Sequence, residues 1–408
     1  MHFLLVGIFL LTAASALAQD WSQWRGPARD GMVPTAVVPK TWPNAVTRGW
    51  TVEIGEGFSS PVASHGRVFA HSRQDPEELV TAIDLATGKV AWQQKYVSEF
   101  KKNQYATQMA KGPNSTPIVL GSRLITLGVT GILTAWNVED GSVAWRNDYS
   151  ASIDTSKLFC GTSMSPMLEG GSVIVHVGSD VHGGRVLALD PATGKERWSS
   201  KGLGPGYASP VAVTVDNVRQ IITMTDSSTI GIDATNGSAL LSIPFPDEWH
   251  ENIVTPIWTG SALIVSGTRQ GTHAYAIGRA DGAWRPRQIW RNADVTMYTA
   301  SPVFANGVIY GLSNKRRGHF VALDAETGTV KWATQGRDGN HASILQTQEH
   351  LLFLTDGGAL IVAQRTPEGF KEVKRYEIGT SPTWTVPIFL PDGLLMREAD
   401  RIVKLTWN

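Results

Sequence analysis

One short phrase that occurs three times constrains the fold of this chain more than any other feature. It reads Ala-x-Asp-x-x-Thr-Gly with a tryptophan four residues after the glycine, and its copies occupy residues 82–92, 188–198 and 322–332. The aspartate can accept hydrogen bonds from the N–H groups of a tight turn, and the glycine supplies a positive φ. We therefore predict a recurring hairpin in a repeat architecture, with the tryptophan wedged between neighbouring units.

A second marker counts the units. A small residue, a proline and an apolar residue precede each turn phrase. These triplets begin at Ser60, Thr116, Ser165, Ser209, Thr255 and Ser301, with degenerate copies at Ser343 and Val386. Successive starts from Ser60 to Ser343 are 42 to 56 residues apart. This period is typical of four-stranded propeller blades, so we expect eight of them.

The eighth unit lacks one strand, and the other end of the chain can supply it. Residues 50–54 alternate apolar and polar side chains, as an outer strand does. The predicted fold is an all-β, eight-bladed β-propeller of four-stranded antiparallel blades, closed by pairing of the N-terminal strand with the C-terminal blade. The propeller should span residues 50–408. Residues 19–49 should form an extended arm, either a strap packed on the propeller or a partner-binding segment.

The first 18 residues predict a signal peptide. An apolar run over residues 3–11 precedes Ala16-Leu17-Ala18, a small-x-small cleavage signal. We expect export to a periplasm or the cell exterior, and no lipid anchor because no cysteine follows the cleavage signal. The lone Cys160 is interpreted as a buried small hydrophobe.

The charge balance bears on possible partners. Lysine and arginine number 36, as do aspartate and glutamate, so no overall basic field favours nucleic acid. No later stretch is apolar enough to cross a membrane. We expect a monomer.

The turn phrase resembles the repeat of pyrroloquinoline quinone (PQQ) enzymes over residues 50–408. The opening 21–27, Trp-Ser-Gln-Trp-Arg-Gly-Pro, resembles the start of many bacterial PQQ-like propeller proteins. The resemblance implies one of two groups. Quinoprotein alcohol dehydrogenases bind PQQ and calcium over the channel and carry an adjacent cysteine pair, whereas proteins similar to BamB are non-catalytic scaffolds.

The chain departs from the dehydrogenase pattern. It has one cysteine, no Cys-x-x-Cys-His haem motif and no segment that matches the carboxylate and amide ligands that hold calcium in those enzymes. We therefore expect an exported, non-catalytic, BamB-like binding or scaffolding protein that contacts a protein or peptide partner in the cell envelope. No cofactor, catalytic residue or metal ligand is predicted. A PQQ-binding quinoprotein with calcium, or another propeller that binds a small ligand or carbohydrate, stays open as the alternative.

Candidate binding residues lie where the chain enters each innermost strand, because those segments converge around a propeller's channel. They form a candidate rim site: Ser59, Asn114, Ser115, Ser163, Tyr207, Asn252, Tyr298, His341 and Trp384. Aromatic, amide and imidazole groups around a concave centre favour ligand binding. The alternative is that turns simply require polar residues.

The longest insertion, residues 96–113, is the second candidate. Long loops in compact folds are usually functional or mobile. We expect it to act as a lid or partner contact through Lys101, Lys102, Gln104 and Tyr105.

Overall fold

The repeats form the predicted closed ring of eight four-stranded antiparallel blades. The computed structural model describes residues 20–106, 111–202 and 204–408, so the predicted signal peptide lies outside the described residues. Within these ranges the helices are three-residue 3-10 turns, at Thr35–Val37, Ser150–Ser152 and Lys315–Arg317, and none could span a membrane. The predicted all-β fold class is confirmed.

The strands of the blades follow the predicted units in chain order. Blade 1 holds Val62–Ser64, Arg67–Gln74, Glu77–Asp84 and Val90–Val97; blade 2 holds Ile118–Leu120, Arg123–Leu127, Ile132–Asn137 and Val143–Asp148; blade 3 holds Met167–Glu169, Ser172–Val177, Arg185–Leu189 and Glu196–Lys201; blade 4 holds Val211–Val215, Val218–Met224, Ser228–Asp233 and Ala239–Pro244. Blade 5 holds Ile257–Trp258, Leu263–Gly267, Gly271–Ala276 and Arg287–Asn292; blade 6 holds Val303–Ala305, Val308–Ser313, His319–Asp324 and Val330–Ala333; blade 7 holds Ala342–Gln346, His350–Thr355, Ala359–Gln364 and Glu372–Glu377. Blade 5 also carries a small hairpin, Arg279–Ala280 with Ala283–Trp284.

Blade 8 combines both ends of the chain. Its three C-terminal strands are Ile388–Leu390, Gly393–Glu398 and Arg401–Trp407, and its outer strand is Val46–Glu53. Val46 pairs with Trp407 and Glu53 pairs with Arg401, in an antiparallel register. The closing strand begins four residues before the predicted start of the propeller at residue 50. The ring thus pairs the two edges that an open array would expose.

Tryptophans in the outer strand, in the turn phrase and at the equivalent position of other units, connect several blades to the next. The indole N–H of Trp92 donates to the carbonyl of Val138 at 2.9 Å, and that of Trp145 donates to Pro191 at 3.0 Å. The Trp92 ring lies against Gly141 so closely that an added Cβ would come within 2.6 Å of it. The predicted wedge role is confirmed, and it explains why the turn needs glycine for space as well as for its φ of +71°.

Candidate functional site

The serine and threonine hydroxyls of the small-Pro marker, called here the hydroxyl ring, accept hydrogen bonds from neighbouring blades around the channel. The Thr116 backbone N–H donates to the Ser165 hydroxyl at 3.0 Å, and the Ser165 N–H donates to Ser209 at 3.0 Å. The same bond links four other neighbouring pairs, namely Ser60 to Thr116, Ser209 to Thr255, Thr255 to Ser301 and Val386 to Ser60. Each hydroxyl satisfies a buried donor of the adjacent blade, so the marker requires serine or threonine for inter-blade bonding.

The N-terminal strap, defined here as residues 21–33, crosses the channel from below. Trp21 bonds blade 1 through Ala63, and the Val33 N–H donates to the Gln346 carbonyl of blade 7 at 2.8 Å. Between them, Arg25 Nη2 donates to the Pro302 carbonyl at 2.7 Å. Arg29 reaches the other side of the ring and donates to Pro166 at 2.9 Å and to Pro210 at 3.3 Å. Residues 21–33 thus pack on the propeller and close one end of the channel.

A pocket of about 330 Å³ occupies the open end of the channel above the strap. Its floor includes Trp24 and Arg25, and its walls include the hydroxyl ring. Seven aromatic side chains line it: Trp24, Phe58, Tyr105, Phe159, Tyr207, Tyr298 and Trp384. A concave, largely aromatic surface with a few convergent polar groups is typical of a binding site. We call it the rim pocket.

The structure brings six of the nine predicted rim residues to the pocket wall. They are Asn114, Ser163, Tyr207, Tyr298, His341 and Trp384. The other three, Ser59, Ser115 and Asn252, are buried behind it, with at most 1% of their surface exposed. Asn252 uses its amide to donate to the carbonyls of Thr225 and Phe245, which is a structural role.

His341 and Trp384 form one side of the pocket. Their rings stack at 4.9 Å between centroids with 13° between planes. The centroid of the Phe58 ring lies 5.6 Å from that of Trp384. His341 Nδ1 bonds the Thr299 hydroxyl at 3.1 Å. Burial lowers the pKa of His341 to about 4, so the ring is neutral at pH 7.

Tyr207, Asn114 and Cys160 form the opposite side. The Cys160 backbone N–H donates to the Tyr207 hydroxyl at 3.3 Å, and Asn114 Nδ2 donates to the Cys160 carbonyl at 2.9 Å. Cys160 is partly exposed and lines the pocket, so the prediction of a buried cysteine is wrong. Its partial burial raises the pKa of the thiol to about 11, which keeps the thiol protonated and unreactive at neutral pH.

Glu251 is the single acidic residue among the described residues that line the pocket. Partial burial raises the pKa of its carboxyl, and the neighbouring Tyr298 hydroxyl, which interacts with it, acts in the opposite direction. Burial and the Glu251 charge together raise the pKa of Tyr298, so this phenol stays protonated. The pair therefore places a carboxyl group beside a neutral phenol.

The predicted lid loop contributes one of its four predicted contact residues to the pocket. Tyr105, 68% exposed, lines the pocket and lies 6.3 Å from Phe159 of the next inter-blade loop. Asn103 ties the two loops together, because its amide donates to the Thr155 carbonyl at 3.2 Å. Lys101, Lys102 and Gln104 belong to the same loop and are not among the lining residues.

The sequence matches the family described as outer membrane protein assembly factor BamB over residues 35–284 and again over 226–371. The chain belongs to this family. The BamB protein of Salmonella typhimurium is 24% identical over 271 residues, which cover 62% of this chain and 66% of that protein, just under two thirds. The solved structure of BamB from Moraxella catarrhalis superposes with a TM-score of 0.63 at 14% identity, covering 89% of this chain and 100% of the other.

The solved structure of the quinohemoprotein alcohol dehydrogenase ADHIIG from Pseudomonas putida HK5 shares the fold, with a TM-score of 0.63 at 14% identity, covering 95% of this chain and 80% of the other. A quinohemoprotein alcohol dehydrogenase of Pseudomonas putida, ADH-IIG, is 24% identical over 318 residues, which cover 71% of this chain and 40% of that protein. Both branches of the predicted PQQ-like resemblance are therefore found among the relatives.

Sequence reasoning missed several lining residues of this BamB-family pocket. Glu251 is not one of them, because it lies beside the predicted rim residue Asn252 in the segment expected to converge on the channel. Phe159 and Cys160 lie in a loop without any motif, and the strap residues Trp24 and Arg25 are far away in sequence. Only the ring closure brings the strap beneath the channel.

Proposed function

We propose that this protein is an exported, non-catalytic, BamB-like propeller that binds a protein or peptide partner at its rim pocket. The observation that carries the proposal is the pocket itself, which is open at one end of the channel, closed by the strap at the other and lined by seven aromatic rings. Aromatic side chains in a concave site are the usual anchors of protein recognition.

The family relationship supports the same proposal. The BamB relatives are named as assembly factors of outer membrane proteins, which favours a role in the cell envelope and a protein partner. The pocket volume of about 330 Å³ suits an inserted side chain or a short peptide segment. The exposed Tyr105 at its edge would extend the contact beyond the pocket.

PQQ with calcium is the alternative that the dehydrogenase relative suggests. PQQ is a planar quinone with three carboxylates, and these would need several cationic partners. The lining residues of the rim pocket provide one arginine, Arg25, together with the carboxylate of Glu251 and a neutral His341. Across the described residues, no group of three or more His, Cys, Asp or Glu could hold a metal ion. The site does not fit this cofactor, and the proposal includes no quinone chemistry.

Site-specific photo-crosslinking tests the proposal. A photoreactive phenylalanine analogue replaces Tyr105 at the pocket or, as the control, Ile289, which is 43% exposed on blade 5 and absent from the pocket lining. In intact cells we expect a protein adduct from position 105 and none from position 289. No adduct at position 105, or the same adducts at both positions, would contradict partner binding at the pocket. Addition of PQQ and calcium to the purified protein should leave the PQQ absorbance unchanged.

A further inference from the structure

We infer that the rim pocket recognises a cationic group, namely the guanidinium or ammonium of an arginine or lysine side chain on the partner. This inference rests on the proposed partner-binding function and specifies its chemistry. Two features of the pocket point to it: the aromatic ring faces, and one carboxylate without a counter-ion.

The rings provide the first feature. The face of an aromatic ring carries a negative quadrupole that attracts cations, most strongly for tryptophan and tyrosine. Trp384, Tyr207 and Tyr298 lie in the segments that enter blades 8, 4 and 6, and all three line the same cavity. Both phenols stay protonated, because burial raises the pKa of Tyr207 and of Tyr298.

Glu251 provides the second feature. Throughout ranges 20–106, 111–202 and 204–408, no lysine, arginine or histidine nitrogen forms an ion pair with its carboxylate. A partly buried carboxylate without a counter-ion is unfavourable, and the raised pKa of Glu251 reflects that cost. A cation bound beside it would remove the cost, and the ring faces would add to the attraction.

Arg25 limits where in the pocket the cation can bind. Its guanidinium donates to the carbonyl of Pro302, the residue that follows the hydroxyl-ring member Ser301. Glu251 lines the same pocket and lies in the segment that precedes the ring member Thr255. The pocket lining thus includes one acidic and one basic side chain, and a bound cation is favoured beside Glu251 and disfavoured beside Arg25.

Matched peptides test the inference. The probes are two capped hexapeptides, acetyl-Gly-Gly-Arg-Gly-Gly-Ser-amide and the same peptide with neutral citrulline in place of arginine. We expect the arginine peptide to bind the full protein at least tenfold more tightly by calorimetry. Glu251→Gln should abolish this preference, whereas Glu53→Gln, the same charge change at an exposed outer-strand position, should preserve it.

The outcomes separate this inference from the function on which it rests. Equal binding of the two peptides, no binding of either, or a preference that survives Glu251→Gln overturns cation recognition. If Glu251→Gln leaves the Tyr105 cross-linked adduct unchanged, partner binding stands and its cationic chemistry is wrong. If position 105 yields no adduct, the proposed function itself fails. If Glu251→Gln unfolds at the same midpoint temperature as the wild type, any loss of peptide binding is a local effect of the substitution.

Discussion

Gly88→Ala tests how strongly the closing strand is held to blade 1. A Cβ added at Gly88 would come within 2.6 Å of the Trp50 ring, and the φ of Gly88 is +73°. Gly66 has nearly the same φ, +70°, but nothing lies within 4 Å of an added Cβ. Alanine at either position pays about 1–2 kcal/mol for the left-handed backbone. Only Gly88→Ala also overpacks the indole, which costs about 1–3 kcal/mol more.

The Trp50 indole cannot move away without further cost, because its N–H donates to the Leu85 carbonyl at 3.1 Å. We therefore expect Gly66→Ala to lower the free energy of unfolding by about 1–2 kcal/mol and Gly88→Ala to lower it by about 2–5 kcal/mol. Equilibrium urea unfolding followed by circular dichroism measures both. In a Trp50→Ala background the extra cost of Gly88→Ala should disappear. Equal effects of the two glycine substitutions in the wild-type background would refute the reasoning.

Three further predictions concern the strap, the pocket and the hydroxyl ring. Arg29→Met should lower the free energy of unfolding, measured by thermal unfolding, by about 2–3 kcal/mol, because it leaves carbonyls of blades 3 and 4 without a charged donor. The control Arg287→Met, at an exposed position, should have little effect in that assay. Burial lowers the pKa of His341 to about 4 from an unfolded value near 6.5, so the unfolded chain takes up the proton first as the pH falls. The free energy of unfolding should therefore fall by about 3 kcal/mol between pH 6.5 and pH 4, and urea unfolding should show a weaker dependence of this free energy on pH for His341→Gln. Ser165→Ala should cost about 1–3 kcal/mol by urea unfolding, because it leaves a buried N–H of blade 2 without its acceptor, and the exposed Ser261→Ala serves as the control, with a smaller effect expected.

The fold was predictable because its determinants are local and repeated. The turn phrase contains its own acceptor, as shown by Asp84 Oδ1, which accepts the Thr87 N–H at 2.8 Å. The small-Pro triplet marks the start of each inner strand and also supplies the inter-blade hydroxyl. Counting these two markers predicts eight blades, and the strand missing from the eighth blade had one candidate at the N-terminus.

The pocket was only partly predictable, because position along the entering segment does not determine which way a side chain points. His341 and Trp384 face the channel, while Ser59 and Asn252, at similar positions, turn into the wall. These entering segments are irregular, so the direction of each side chain depends on the local backbone. That explains how Glu251 lines the pocket while the adjacent Asn252 bonds the backbone behind it.

The strap and the closing strand also determine when this propeller can finish folding. Arg25 bonds to a carbonyl 277 residues later in the chain, and Val46–Glu53 pairs with Arg401–Trp407. A ribosome makes these N-terminal segments first and their partners last. The early segments must therefore remain unpaired throughout synthesis, and the final loop closures are among the longest the chain can make, which favours slow, late completion. A chain cut short before residue 401 would lose the closing pair and expose an open edge.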